Sequence, residues 1–422
     1  MRPDNDAPPA LPDDPVIATG TPLAPELMAG LAPDVGFAVW QVLRTLRLWT
    51  AEPERRREAM FDPAYMDTWE RALLTGSLEP DVRFPLAVIV GEMAAYPAGE
   101  GRLSWACVCV ADWALGRGAV RAGLAFAEAA AQASPLQARY AWLAGRLLRT
   151  HGEGRAAERW LRRAYRLAVS QKDGETQARS LTALGNLSMQ RGSLPAARAL
   201  HLRALRVSRR WRLREQEGMA LHDLFVVATD QRYRAEADFY ARAAVTACSS
   251  SDRLPRLAHD IAFHWMEQGF CSRALRVLDA LRPHFSTPDH IVRVAANQAR
   301  AAGGIGNRAR FLKHHAEVQS LLPQLETREA LAPALLDTAY GAVAVEEWEI
   351  ALDLTTQATD AAHIHEDATV VMRADALAGA IHRRDLSSVE HVVPERRATI
   401  PAGEQFAAEM VTLLAYGGER AP

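Results

Sequence analysis

The clearest alternation of apolar and polar positions lies between Arg179 and Arg209. Leu181, Leu184, Gly185 and Ser188 fall at i, i+3, i+4 and i+7, one face of a helix. Gly192 suits a left-handed helix end, Ser193 an N-cap, and Pro195 the first turn of a second helix. That second helix carries Ala197, His201 and Ala204 at spacings of four and three. The pattern predicts two short amphipathic helices joined by a turn.

The same template recurs on both sides. Upstream copies read Ala106, Cys109, Val110, Trp113 with Ala122, Phe126, Ala129, then Ala141, Ala144, Gly145, Leu148 with Ala157, Leu161, Ala164. Downstream copies read Leu221, Leu224, Phe225, Ala228 with Ala237, Ala241, Ala244, then Ala258, Ile261, Ala262, Trp265 with Ala274, Leu278, Leu281. A later one reads Leu335, Thr338, Ala339, Ala342 with Ala351, Thr355, Ala358. Weaker copies fall around Arg293 to Ala316 and Arg373 to Val389, and the step is 35 to 42 residues. A helix pair this short has too little apolar surface to stand alone, so neighbours must stack. Alanine and glycine at the seam allow two helix backbones to approach closely.

With that seam, the period resembles the tetratricopeptide repeat (TPR) family, whose unit is roughly 34 residues. The resemblance covers residues 103 to 390, without most of the family's tyrosines and closing prolines. It implies an all-α, right-handed solenoid of seven to eight antiparallel helix pairs with helical caps. First helices of that family line a concave groove. Carried over by template, the ligand-facing positions are Arg139, Trp142, Arg146 and Arg149, then Arg179, Asn186 and Gln190, then His222, then Arg256 and His259. Arginine forks and amides suit an acidic peptide or a chain-terminal carboxylate.

Four segments are expected. Residues 1–33 are proline-rich and unstructured, with no charged-then-apolar secretory signal. Residues 34–100 form a helical cap or a small helical domain, with helices bearing Phe37, Trp40, Leu43, Leu46 and Leu48, then Tyr65, Trp69 and Leu73, then the run from Phe84. Residues 101–392 hold the repeats, and 393–422 a capping helix and tail, with Phe406, Met410, Leu413 and Leu414 in one stripe.

Charge changes the picture only when read locally. The whole chain of 422 residues carries a net −2, so it has no bulk attraction to nucleic acid or membrane. Yet Arg139 to Arg214 holds seventeen arginines and one lysine against four acids, while Glu317 to Asp367 holds eleven acids against Arg328 alone. A basic centre is thus joined to an acidic C-terminal third. The second-helix arginines Arg159, Arg162, Arg163 and Arg166 read as a solvated outer face. The polarity also allows head-to-tail self-association. Nucleic acid is the least favoured partner, because stacking aromatics are not interleaved with the arginines.

Candidate chemistry is sparse. Cys107, Cys109, Cys248 and Cys271 form no C-x-x-C pair and read as reduced thiols in a cytoplasmic, bacterial-type protein. His363 and His365 lack a supporting ligand set for zinc, and no catalytic residue, metal or cofactor is expected. Gly303 to Gly306 lacks the Lys-Ser/Thr of a phosphate loop and reads as an inter-helix turn. The expected function is a non-catalytic scaffold or adaptor binding a protein or peptide. A peptide-sensing regulator acting on a transcription or signalling partner is the alternative. An enzyme comes third, and a deep pocket with clustered ionisable groups would favour it.

Overall fold

The computed structural model describes residues 26–27, 29–95, 100–248, 252–325, 330–364, 367–385 and 401–417. Every regular element among them is helical. The readings of residues 1–25, of His365 and of Arg328 fall outside the described residues. The chain divides into two compact units, Met1–Asp223 and Leu224–Pro422. Both are built from helix pairs, an all-α solenoid-like architecture.

In the first unit, α1 (Pro33–Ala51), α2 (Glu54–Met60), α3 (Pro63–Thr75) and α4 (Pro80–Ala94) precede the repeats. The pairs are α5 (Glu100–Gly116) with α6 (Val120–Ala133), α7 (Ala138–Thr150) with α8 (Gly154–Gln171), and α9 (Gly174–Gln190) with α10 (Leu194–Trp211). Helix α11 (Arg214–Asp230) runs from the first unit into the second. There follow α12 (Arg234–Cys248), α13 (Leu254–Glu267), α14 (Cys271–Leu281), α15 (Pro288–Gly304), α16 (Arg308–Leu321), α17 (Leu331–Ala344), α18 (Trp348–Ile364), α19 (Ala368–Arg383) and α20 (Pro401–Gly417).

The repeat is written in its turns. Residues 118, 152, 192, 232, 269, 306 and 346 all take φ between +60° and +82° at the turn inside a pair. In each case the next residue donates its backbone N–H to the carbonyl five positions back, at 2.8 to 3.0 Å: Glu153 to Leu148, Ser193 to Ser188, Tyr233 to Ala228, Phe270 to Trp265, for example. This is the left-handed helix end that satisfies otherwise orphaned carbonyls. Five of the seven positions are glycine; Arg232 and Glu346 hold the same conformation with a side chain. Proline at the first turn starts α1, α3, α4, α10, α13 and α15, and Asp173, Asn307 and Asp367 cap α9, α16 and α19 with side-chain acceptors.

The template residues form the seam. Ala141, Ala144, Gly145 and Leu148 are buried against Ala157, Leu161 and Ala164, and the copies around Leu221, Ala258 and Leu335 are buried throughout. Gly185 marks a helix crossing. A Cβ there would lie 2.6 Å from Nε2 of His201, whose side chain is fully buried on α10. The weak copy from Arg293 to Ala316 is the pair α15 and α16. Of the glycine run within it, only Gly306 makes the turn; Gly303 and Gly304 are still in α15. The helices before the repeats share one core with α5 to α8, in which Val39, Leu43, Leu46, Met66, Leu86 and Ile89 meet Phe126 and Trp160. The buried stripes there are rotated from the expected ones, since Phe37, Leu48 and Tyr65 are exposed. Helix α20 packs on α14 and α13 through Phe406, Met410 and Leu414. Phe406 meets Trp265 edge to face at 5.8 Å, and Glu404 accepts from Arg273 at 3.1 Å and from Arg276.

His201 has a consequence for acid stability. Burial lowers its pKa below the ordinary 6.5, and Asp223, with a carboxylate oxygen 3.5 Å away, only partly opposes this. Burial also lowers His314 and His315, against Glu317 and Asp353 respectively. Unfolding therefore takes up protons once the pH drops below the unfolded-state value. Stability is full above that value and falls as the pH drops further towards the folded-state values. The expected slope is at most about 1.4 kcal/mol per pH unit for each histidine. Melting temperatures between neutral pH and pH ~5 should fall, and His201→Asn should flatten that limb. A slope identical to wild type in the variant would exclude His201 as a contributor.

Candidate functional site

The first unit gathers its charged groups on neighbouring first helices, because α7 packs directly on α9. The half-buried Trp142 of α7 is flanked by two guanidiniums. Arg146, one turn on, lies 5.4 Å from the indole centroid, and Arg179 of α9 lies 5.1 Å from it. Each such contact contributes about 0.5–1 kcal/mol at a partly exposed site and fixes the ring. Arg179 is paired with Glu175 at 2.6 Å. Arg146 and Arg149 make no ion pair among the described residues, and their Nε atoms are buried without a hydrogen-bond partner.

Electrostatics sharpens the point. Burial lowers the pKa of Arg146, Asp112 on α5 opposes it, and the like charge of Arg179 adds to it. Burial lowers Arg149 as well, with Asp223 on α11 opposing and Arg146 adding. Desolvated like charges held side by side favour an anion brought from outside.

The ten residues expected to face a ligand are divided between the two units. Trp142, Arg146, Arg149 and Arg179 come together as described. Arg139 turns to Tyr140 instead, stacking at 4.5 Å and donating to its hydroxyl at 2.7 Å, and that hydroxyl donates to the Gly101 carbonyl. Asn186 is half-buried and Gln190 exposed, two and three turns along α9 from Arg179. His222 is half-buried on α11 beside Asp223. Arg256 and His259 belong to the second unit, where they line a cavity of about 450 Å³ with Asp289, His290 and Arg293. The sequence reading missed Asp112 and Asp223, although both fall between packing positions of their helices.

The basic centre and acidic third also look different once folded. Arg163 is no surface residue: it is buried and donates to the Pro135 carbonyl at 2.6 Å. Arg162 and Arg191 share Glu158, both at 2.6 Å. In the second unit Glu317, Asp337 and Glu347 are held by Arg282, Arg300 and Arg308. The last three pairs stand about one repeat apart, so part of the acidity of the C-terminal third is neutralised within the fold. No described helix is long and apolar enough to cross a membrane. No three described His, Cys, Asp or Glu side chains converge as a metal site.

Pairs of antiparallel helices joined by seven matching turns define a TPR-like helical-repeat protein. No family model matches the chain, and no curated protein matches it. Solved structures do. The crystal structure of BtubC (BKLC) from P. vanneervenii is 15% identical over 53% of this chain and 91% of that one, with a TM-score of 0.41. The TPR domain of P58(IPK) is 14% identical over 85% of this chain and all of that one, with a TM-score of 0.24. At these TM-scores neither likeness bears on what this chain binds.

Proposed function

We propose that the chain is a non-catalytic, protein-binding scaffold whose first unit takes an acidic or carboxylate-ended peptide segment on α7 and α9. The observation that carries this reading is the pair Arg146 and Arg149, half-buried and unpaired beside a tryptophan fixed between two guanidiniums. Trp142 holds the guanidiniums of Arg146 and Arg179 in place, and the arginines offer forks that match a carboxylate.

A peptide array tests it, displaying acidic and neutral segments with free or amidated C-termini. Wild type is expected to retain acidic spots, and Arg146→Ala/Arg149→Ala to lose them by about tenfold or more, with helicity unchanged. Binding confined to free C-termini would identify a terminal carboxylate as the anchor. Absence of any preference for acidic spots, or equal retention by the variant, would overturn the proposal.

A further inference from the structure

The cavity in the second unit lies on the same class of helix as the α7–α9 face but is built from different chemistry. Arg256, His259 and Asp260 come from α13, and Asp289, His290 and Arg293 from α15. Its volume, about 450 Å³, is that of a small-molecule site, too small to hold a folded partner.

Charge accounting decides what it would hold. Several arginines elsewhere in this unit have acids: Arg273 and Arg276 hold Glu404, Arg282 holds Glu317, Arg308 holds Glu347, and Arg310 holds Asp279. Arg256 and Arg293 have none among the described residues. The two acids in the wall do not fill that role. Asp260 faces Nδ1 of His259 at 3.3 Å, and Nε2 of the same ring lies 2.9 Å from Nδ2 of Asn297, which fixes the imidazole. Asp289 makes contacts of its own and stands in the first turn of α15, where the helix dipole favours a carboxylate. One wall is flat and held in place: His290 stacks on Phe285 at 5.4 Å and 25°, with its Nδ1 bonded to the Thr287 hydroxyl at 2.7 Å.

We propose that this cavity binds a small organic oxyanion, phosphate- or carboxylate-bearing, with Arg256 and Arg293 taking the charge and the Phe285–His290 face taking the body of the molecule. Guanidinium forks suit both kinds of oxyanion. This site stands independently of the peptide reading for the first unit.

Calorimetric titration of the full chain tests it, with inorganic phosphate and citrate as the probes. Both arginines are exposed, so Arg256→Ala and Arg293→Ala should fold as wild type. Each is expected to weaken binding by about tenfold or more. Arg203→Ala removes an arginine of the first unit that donates to the Tyr165 hydroxyl, and should leave binding as it is. Retention of phosphate alone would name a phosphorylated ligand, and of citrate alone a carboxylate; either supports the shared chemistry. Should Arg293→Ala lower the melting temperature, Arg293→Gln, which keeps the stem, takes its place. No heat above dilution with either probe, or undiminished binding in the double variant, would overturn the proposal.

Discussion

Arg300→Leu is expected to cost the second unit about 3–5 kcal/mol, the range for breaking a buried ion pair from one side. Arg300 projects from α15 with a side chain only 5% exposed. It donates to Asp337 at 2.9 Å and to Glu267, and its guanidinium lies between Phe263 at 5.3 Å and Tyr340 at 5.0 Å. Burial works against its charge, but Glu267 and Asp337 outweigh burial and raise its pKa beyond the ordinary guanidinium range. Leucine would leave these two carboxylates, 23% and 17% exposed, without their shared cation. Neutralising both acids in the same chain, with Glu267→Gln and Asp337→Asn, should recover most of the loss, since the penalty comes from orphaned charge. Chemical denaturation measures both variants. A loss under about 1 kcal/mol for Arg300→Leu alone would make the network no stronger than a surface bridge.

That network shows why the sequence was legible in one respect and opaque in another. Helix pairing repeats, so alanine, leucine and glycine recur at fixed offsets, and Leu181, Gly185, Ala197 and His201 locate a crossing without a structure. Ion pairs recur too, but across the repeat: Arg282 to Glu317, Arg300 to Asp337, Arg308 to Glu347. Summing charge over consecutive residues leaves such partners out, because Arg282, Arg300 and Arg308 precede the acidic stretch whose carboxylates they hold. Comparing each arginine with residues one repeat later would have paired them. The same template located Trp142, Arg146, Arg149 and Arg179 on facing helices. It found half of the second-unit cavity through Arg256 and His259 and missed His290 and Arg293, because α15 departs from the alanine–leucine pattern. The mutual approach of α15 and α17 also lay hidden, in a glycine run that reads as a loop.

Gly341→Leu should destabilise the chain more than Gly185→Leu does, although both glycines sit at helix crossings. A Cβ on Gly341 would lie 2.6 Å from the Ala299 carbonyl oxygen and 2.9 Å from the Cα of Arg300. Seen from the other side, a Cβ on Gly303 would meet the backbone of Gly341. Backbone cannot rotate out of the way, so α15 and α17 must separate. At Gly185 the obstacle is the His201 ring, which has torsional freedom even though it is buried. Overpacking of that kind costs about 1–3 kcal/mol, so Gly185→Leu is expected within this range and Gly341→Leu above it. Denaturation midpoints at unchanged m-value would rank them. A Gly185→Leu protein that melts as wild type would break the repeat alignment at α9 and α10, and an unshifted Gly341→Leu would refute the close approach of α15 and α17. Because leucine at 341 would push on the backbone of Arg300 itself, its effect and that of Arg300→Leu should fall short of additive in the double variant. Full additivity would mean that the crossing and the ion network are held independently.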